Sequence, residues 1–235
     1  MKTLIIIPAF NESENIEKVV KSLMDNYPQG DYVVINDCST DTTADILDRH
    51  NINHIDLCCN LGIGGAVQSG YIYAKEKGYD CAVQMDGDGQ HDSSYIPKLI
   101  ENIENGKANI VIGSRFIKKE GFQSSGMRRF GIKFLSSIIK LVSGASVKDV
   151  TSGFRAVDKN YIDFYSKNYA SDYPEPEAIV AAKLSGAKIA EVPVIMKERT
   201  GGVSSISPFK SVYYMIKVSI AILFAGFILK KGENK

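Results

Sequence analysis

The sequence predicts an α/β fold, a doubly wound and mostly parallel sheet flanked by helices, and three observations predict it. Short apolar runs at 3–10, 32–35, 55–59, 80–85 and 109–112 are each followed by a polar turn and then a helical hydrophobic period. The repeated strand–turn–helix order argues for right-handed βαβ units. Four polar turns, Pro8 to Glu12, Asp37 to Asp41, Asn60 to Gly65 and Asp86 to Asp92, follow strands, and in such a sheet they converge on one rim, where ligands bind.

The elements follow in chain order. After the first strand, Asn11 with Glu14 three residues on resembles a capping arrangement, and Ile16, Val19, Val20, Leu23 and Met24 fall at helical spacing. A second strand, Tyr32 to Ile35, leads to a helix from Ala44 to His50 opened by Ser39 or Thr40. A third, Ile55 to Cys59, leads through Asn60-Leu-Gly-Ile-Gly-Gly65 to a helix from Ala66 that stops at Gly78. Asp80 to Met85 reads as a buried strand; Ser93 then caps a helix to Gly106, and Asn109 to Ile112 is the next strand. Met127 to Val142 is amphipathic and basic, with Arg128, Arg129, Lys133 and Lys140, and suits acidic ligands or a membrane surface. A helix near Lys159 to Ser166, a helix opened by Tyr173-Pro-Glu-Pro-Glu177 and a strand Lys188 to Ile195 follow.

Val218 to Leu229 is almost wholly apolar and closes on Lys230 and Lys231. A spanning helix needs about 20 clean apolar residues, so an interfacial anchor, a span and a helix buried against a second copy of the chain compete here.

Composition narrows the function classes. With 28 basic and 27 acidic side chains the net charge is +1, so no global field favours nucleic acid or acidic partners. Cys38, Cys58, Cys59 and Cys81 show no CxxC spacing and read as reduced core residues of a cytoplasmic protein. The N-terminal apolar run is cut by Pro8 and lacks a cleavage site, so export is not expected.

The stretch Met85-Asp-Gly-Asp-Gly-Gln-His-Asp92 crowds Asp86, Asp88 and Asp92 at a strand end. Carboxylates that close repel unless a cation or proton lies between them. Residues two apart on a strand share a face, so Asp86 and Asp88, with Gln90 behind, suit a hard cation such as Mg²⁺ or Mn²⁺; a solvated acidic turn is the competing reading. An EF-hand is excluded because its glycine and glutamate positions hold His91 and Pro97. His91 reads as a hydrogen-bonding neighbour of the carboxylates. Asn60 to Gly65 fails the dinucleotide fingerprint, since its third glycine falls at Val67; Gly64 either lets backbone approach a ligand or is an ordinary turn glycine. Arg115, Arg155 and Arg199 stand in Gly/Ser/Thr-rich contexts that suit bidentate phosphate contacts, with surface salt bridges as the alternative.

Taken together, PAFNE, NDCSTDTT, NLGIGGAVQSG, MDGDGQHD, GSRF, TSGFRA and ERTGGVSSI, over about residues 3 to 206, resemble the family 2 glycosyltransferases, specifically the dolichyl- and polyprenyl-phosphate mannose or glucose synthases. The resemblance implies a GT-A fold over residues 1–206, with 207–235 as a membrane-associating or dimerising helix. It implies inverting transfer of a sugar from a UDP- or GDP-sugar to a lipid-linked acceptor, with Mg²⁺ or Mn²⁺, on the inner face of the cell membrane. Under it, Pro8, Ala9, Glu12, Asp37, Ser39 and Gly64 hold the donor, together with Asp86, Arg115 and Arg199. Asp86, Asp88 and Gln90 hold the metal, while Arg128, Arg155 and Ser204 lie toward the acceptor or its phosphate. Catalysis falls to Asp88 and to a base, Glu175 or Glu177, which at a helix N-terminus are also read as dipole-favoured carboxylates. Asp92 departs from the family pattern, where many relatives carry proline. A non-catalytic nucleotide-sugar-binding protein and a nucleotidyltransferase are the alternatives on this fold.

Overall fold

The computed structural model describes residues 1–118, 120–121, 126–171, 174–197, 215 and 217–224. Seven strands form one sheet: β1 (Thr3–Ala9), β2 (Asp31–Asn36), β3 (His54–Asp56), β4 (Cys81–Gln84), β5 (Ile110–Ser114), β6 (Arg155–Asp158) and β7 (Ile189–Pro193). Their order is β3-β2-β1-β4-β6-β5-β7. All neighbours are parallel except β6, which runs antiparallel to both β4 and β5. The helices are α1 (Ile16–Asn26), α2 (Thr43–Arg49), α3 (Gly62–Glu76), α4 (Ile96–Glu104), α5 (Gly126–Ser143), α6 (Lys159–Lys167) and α7 (Pro174–Leu184).

The sheet is covered on both faces because its central strands are apolar on both. Along β1, Leu4 and Ile6 join a core with residues of α3, α5, α6 and α7, while Ile5 and Ile7 join the opposite core with residues of α1 and α4. Alternate side chains of a strand point to opposite faces, so a continuous Leu-Ile-Ile-Ile run feeds two layers at once, as parallel sheets require. Helix α3 presses directly onto β1: a Cβ on Gly70 would lie 2.2 Å from the Ile6 side chain, so only glycine permits this approach.

Several boundaries differ from the sequence-based expectation, each for a local reason. Helix α1 starts at Ile16, and no side chain caps it. The Glu12 carbonyl accepts from the Asn15 and Ile16 amides instead, at 2.9 Å each, so Asn11 to Asn15 is a turn. Helix α3 starts at Gly62, four residues before the predicted Ala66, and absorbs the glycines into its first turn. Strand β3 ends at Asp56, which leaves Cys58 and Cys59 exposed and Cys38 partly so; Cys81 alone of the four is a core residue. Asp92, not Ser93, caps the next turn: its Oδ1 accepts from the Ser94 amide at 3.0 Å, and a 3₁₀ turn over Ser93–Tyr95 leads into α4. Strand β6 was read from sequence as part of a loop.

Residues 217–224 are helical. Val218 and Ile222 are buried in the core that contains Ile132, Leu135 and Ile139 of α5, while Ile220, Leu223 and Phe224 are exposed. No helix among the described residues is long and apolar enough to cross a membrane.

Candidate active site

The rim is assembled by extending the sheet's own hydrogen-bond pattern past its strand ends. From β1, the Ala9 carbonyl accepts from the Asp37 amide at 2.9 Å and the Pro8 carbonyl from the Gly87 amide at 3.3 Å. Pro8 and Ala9 are thus the hub joining the turns after β2 and β4. Asn11, held at φ 55°, aims its side-chain oxygen at the Thr40 amide (2.8 Å), while its own amide donates to Ser39 Oγ (3.0 Å). Glu12 is buried: its amide donates to Thr43 Oγ1 and its Oε2 accepts from Asn15, both at 2.9 Å.

Asp37 is also buried. Its Oδ1 accepts from the Leu61 amide at 2.7 Å, and its carbonyl accepts from Asn60 Nδ2 at 3.1 Å. Burial raises its carboxyl above the usual carboxylate range, against the lowering effect of the Leu61 and Gly62 amides. Gly64 is placed differently from the ligand-facing expectation. The backbone approaching it is the chain's own, since its amide donates to the Ser171 carbonyl (3.1 Å) and a Cβ there would lie 1.9 Å from the Ala170 carbonyl.

The acidic turn follows β4 and rests on β6. Asp86 is held on three sides. Its amide donates to His91 Nδ1 at 3.0 Å, Gln84 Nε2 donates to its Oδ1 at 3.3 Å, and a Cβ on Gly153 would stand 3.0 Å from that oxygen. Because His91 Nδ1 accepts, its Nε2 carries the proton, and that atom lies 3.8 Å from Asp86 Oδ2. The His91 ring stacks on Phe154, centroids 4.9 Å apart. The Asp86 side chain nonetheless keeps 34% of its surface exposed, so it is fixed and still reachable. Asp88 Oδ1 accepts from the Gln90 amide at 3.0 Å. Gln90 itself is strapped to the segment after β7: its Nε2 donates to the Lys197 carbonyl (3.3 Å) and its carbonyl accepts from the Lys197 amide (2.9 Å).

Asp92, the charge without a sequence rationale, has a structural one. Burial works against its ionised form, but the hydrogen bonds from Ser94 and the Lys197 ammonium, 3.7 Å away, hold its carboxyl below the usual range.

Beneath the turn lies Arg155, fully buried and opposite Gln84 in the β4–β6 register. Its guanidinium donates to the Ser152 carbonyl (2.6 Å) and the Glu175 carbonyl (3.4 Å), and its Nε has no hydrogen-bond partner among the described residues. Burial opposes its charge, yet Tyr169, Glu175, Tyr165 and Tyr71 around it raise its pKa. Glu175, at the start of α7, hydrogen-bonds Gln84. Burial pushes its carboxyl up, the Arg155 charge pulls it down, and the Asp86 carboxylate adds to the rise. Tyr169 Oη completes the cluster by donating to Gln84 Oε1 at 3.3 Å.

Arg115, at the end of β5, forms a bidentate pair with Asp149, with Nε to Oδ2 at 2.7 Å and the terminal nitrogen to Oδ1 at 2.6 Å, both side chains buried. The geometry therefore commits Arg115 and Arg155 to the interior, where neither presents an open fork to a phosphate. Arg128 is on the exposed first turn of α5, and Glu177 lies one residue beyond Pro176 in α7. Arg199 and Ser204 fall outside the described residues. Sequence reasoning missed Gln84, Gly153, Tyr169 and Asp149; a buried glutamine ending an apolar strand, two residues before Asp86, was the available signal for the first.

A GT-A arrangement, a Rossmann-like sheet with an acidic turn at the end of β4, defines a nucleotide-sugar-dependent glycosyltransferase. The family model described as Glycosyl transferase family 2 matches residues 4–165, and the chain belongs to that family. It is 31% identical over 221 residues to an undecaprenyl-phosphate mannosyltransferase of Micrococcus luteus, covering 88% of each chain. It is 32% identical over 210 residues to a UDP-N-acetylglucosamine–dolichyl-phosphate N-acetylglucosaminyltransferase of Methanococcus voltae, covering 81% of this chain and 83% of that one. Among solved structures, glucosyl-3-phosphoglycerate synthase from Mycobacterium tuberculosis with Mn²⁺, UDP and glucosyl-3-phosphoglycerate superposes with a TM-score of 0.71 at 18% identity, over 96% of this chain and 79% of that one. That likeness shows the fold.

Proposed function

We propose that this glycosyltransferase moves a hexosyl group, with inversion, from a nucleoside diphosphate sugar to a polyprenyl-type lipid phosphate at a membrane surface. The observation that carries the reading is the Asp86–Asp88 turn. Two hard oxygen donors stand at the rim where nucleotides bind in such sheets, one of them fixed by His91, Gln84 and the Gly153 backbone. Oxygen donors on a partly exposed turn fit Mg²⁺ or Mn²⁺. Among the described residues no three His, Cys, Asp or Glu converge by themselves, so Asp86 and Asp88 would hold a cation only together with further oxygen donors. When bound it neutralises charge on the departing diphosphate.

The chain's residues supply the rest. Pro8, Ala9, Glu12, Asp37 and Ser39 shape the nucleoside side. An acceptor phosphate is already anionic, so its oxygen attacks the anomeric carbon as the bond to the diphosphate breaks, and no base is needed. A hydroxyl acceptor would need one, and Glu175, with its raised pKa and its place beside Asp86 and Gln84, suits that role better than Glu177. On the membrane side, α5 exposes Met127, Phe130, Phe134 and Leu141 among basic residues, and a groove of about 800 Å³ beside it is lined by Phe116, Arg129, Phe130, Lys133 and Lys148. Apolar side chains interleaved with lysine and arginine suit an anionic lipid surface, which supports a peripheral position on the inner leaflet. The undecaprenyl-phosphate and dolichyl-phosphate transferases to which the chain is similar point the same way.

Incubation with Mn²⁺ or Mg²⁺ and a panel of UDP- and GDP-sugars, with and without polyprenyl phosphate, should yield a glycolipid identifiable by mass. Asp88→Asn should abolish that product. Release of pyrophosphate in place of nucleoside diphosphate would make the chain a nucleotidyltransferase, and donor binding without any turnover would make it a binding protein.

A further inference from the structure

The proposed chemistry uses none of the four cysteines, yet three of them meet on the rim. Strands β2 and β3 are parallel, and their last paired rung is Asn36 with Asp56. Cys38 and Cys58 each follow that rung by two residues, so they leave the sheet side by side. The strand ends are tied there: the Leu57 amide donates to the Asn36 carbonyl at 2.9 Å, and Asn36 Nδ2 donates to Asp56 Oδ1 at 2.6 Å. Beyond that rung the two segments stay linked, since Asp37 accepts from Asn60 Nδ2 at 3.1 Å and from the Leu61 amide at 2.7 Å, and a disulfide asks for a Cα separation of roughly 4.4–6.8 Å.

Exposure separates these thiols from the fourth. Cys58 and Cys59 are exposed and Cys38 partly exposed, whereas Cys81 is buried and its thiol is pushed up to about 12 by burial, which makes it inert. Cys38 is held at φ 57°, a left-handed conformation uncommon for a residue with a Cβ. The neighbouring Cys58 thiol, with Cys38 and Asp37 nearby, raises the Cys59 thiol above the usual thiol range.

We propose that Cys38, Cys58 and Cys59 form a thiol–disulfide switch on the nucleoside side of the rim, responsive to low-molecular-weight disulfides. Cys58, as its thiolate, attacks one sulfur of the small disulfide, forming a mixed disulfide and expelling one thiolate. The Cys38 sulfur, losing its proton, then attacks Cys58 Sγ and expels the second. Two protein thiols lose two electrons and two protons, and one small disulfide becomes two thiols. A direct Cys58–Cys59 bond is disfavoured because it closes a strained ring across one peptide unit, whereas Cys38 reaches from the adjacent strand.

The bond has a consequence for Asp37, which precedes Cys38 and holds Asn60 and Leu61 through its carbonyl and carboxylate. Cross-linking Cys38 to Cys58 locks these two segments against the adjustment that nucleoside entry requires. This consequence rests on the reading of Asp37 as a donor-binding residue, while the bond itself does not.

The full chain should be treated with oxidised glutathione, alkylated and mapped by mass, with UDP and GDP binding measured on the same samples. The expected result is a cross-linked pair of peptides carrying Cys38 and Cys58, and roughly tenfold or greater weakening of nucleotide binding, reversed by dithiothreitol. Cys38→Ser and Cys58→Ser should bind nucleotide equally before and after treatment. Fully alkylatable thiols, or a glutathione adduct on Cys58 with no cross-link, would overturn the switch. A cross-link that leaves nucleotide binding unchanged would overturn its control of the entrance. If the reduced protein binds neither nucleotide, the donor reading fails, and the peptide map still decides the bond.

Discussion

Two buried arginines, one at the end of β5 and one beneath the acidic turn, are neutralised by different means. Arg115 meets a single carboxylate fork to fork, and Asp149 is in turn fixed by Glu191, whose carboxylate accepts from the Lys148 and Asp149 amides at 2.9 and 3.0 Å. Arg155 meets no such fork. Its guanidinium donates to two carbonyls, and its charge acts on the Glu175 carboxyl nearby. The first arrangement is a closed pair that pins the 149–152 turn to β5. The second leaves a buried charge that acts on Glu175, so it tunes the site as well as supporting it.

The largest effect should come from breaking the closed pair. Asp149→Ala strands the Arg115 guanidinium and should cost about 3–5 kcal/mol of stability, read as a lowered urea midpoint at unchanged slope. A loss under 1 kcal/mol would mean that the pair is not a pin. Arg155→Met replaces a diffuse charge environment with an apolar side chain of similar length, so its stability cost should stay below that of Asp149→Ala. With a hydroxyl acceptor its activity cost should be larger, about tenfold to a hundredfold in kcat/KM, because Glu175, the base such an acceptor needs, loses the charge that lowers its pKa. Equal damage to stability from both variants would erase the distinction between the two regions.

Glu191→Ala removes the acceptor of two backbone amides and should cost about 1 kcal/mol, read in the same urea titration. The smallest effect separates the regions by pH. The folded pKa of Glu175 is raised above the ordinary glutamate value of 4.5, so the native state holds its proton more tightly than the unfolded chain. This group's contribution to stability therefore falls as pH rises from 4.5 through the folded pKa. Glu175→Gln lacks that loss, so its stability relative to the parent should improve by a few tenths of a kcal/mol or more between acid and neutral pH. A pH-independent difference would show that Glu175 is not perturbed.

The contrast between the two arginines also shows what a sequence conceals. Strand positions such as Leu4 to Ile7 declare themselves, because an apolar run with flanking turns has few alternatives, and the Asp86–Asp88 spacing implies a shared face without any tertiary knowledge. Arg155 does not declare itself. In Thr-Ser-Gly-Phe-Arg it sits in a polar, glycine-containing loop pattern, and the four residues of β6 are too short to show a period. Its burial comes from pairing with β4, a contact about 70 residues away in the chain. Gly64 is similar: its need for glycine arises from Ala170 and Ser171, and local composition carries no trace of them. Cys58 and Cys59 continue an apolar run, but β3 stops at Asp56, so the thiols face solvent instead of the core.

Strand β6 enters the sheet against the grain, and the rung joining Gln84 to Arg155 makes it a ruler for everything C-terminal to it. A shift of one residue would exchange the two faces of the strand, sending Ala156 to the place of Arg155 and carrying the arginine into the opposite layer, toward α4. Gly153 would move from behind Asp86, and a bulkier neighbour would take its place, its Cβ crowding the ends of the Gln84 and Asp86 side chains. The metal-binding geometry proposed for the acidic turn is therefore indexed by a single misfit-intolerant pairing. Folding errors in this enzyme should appear as chains that are compact, helical and inactive, with the sheet assembled one notch out of step.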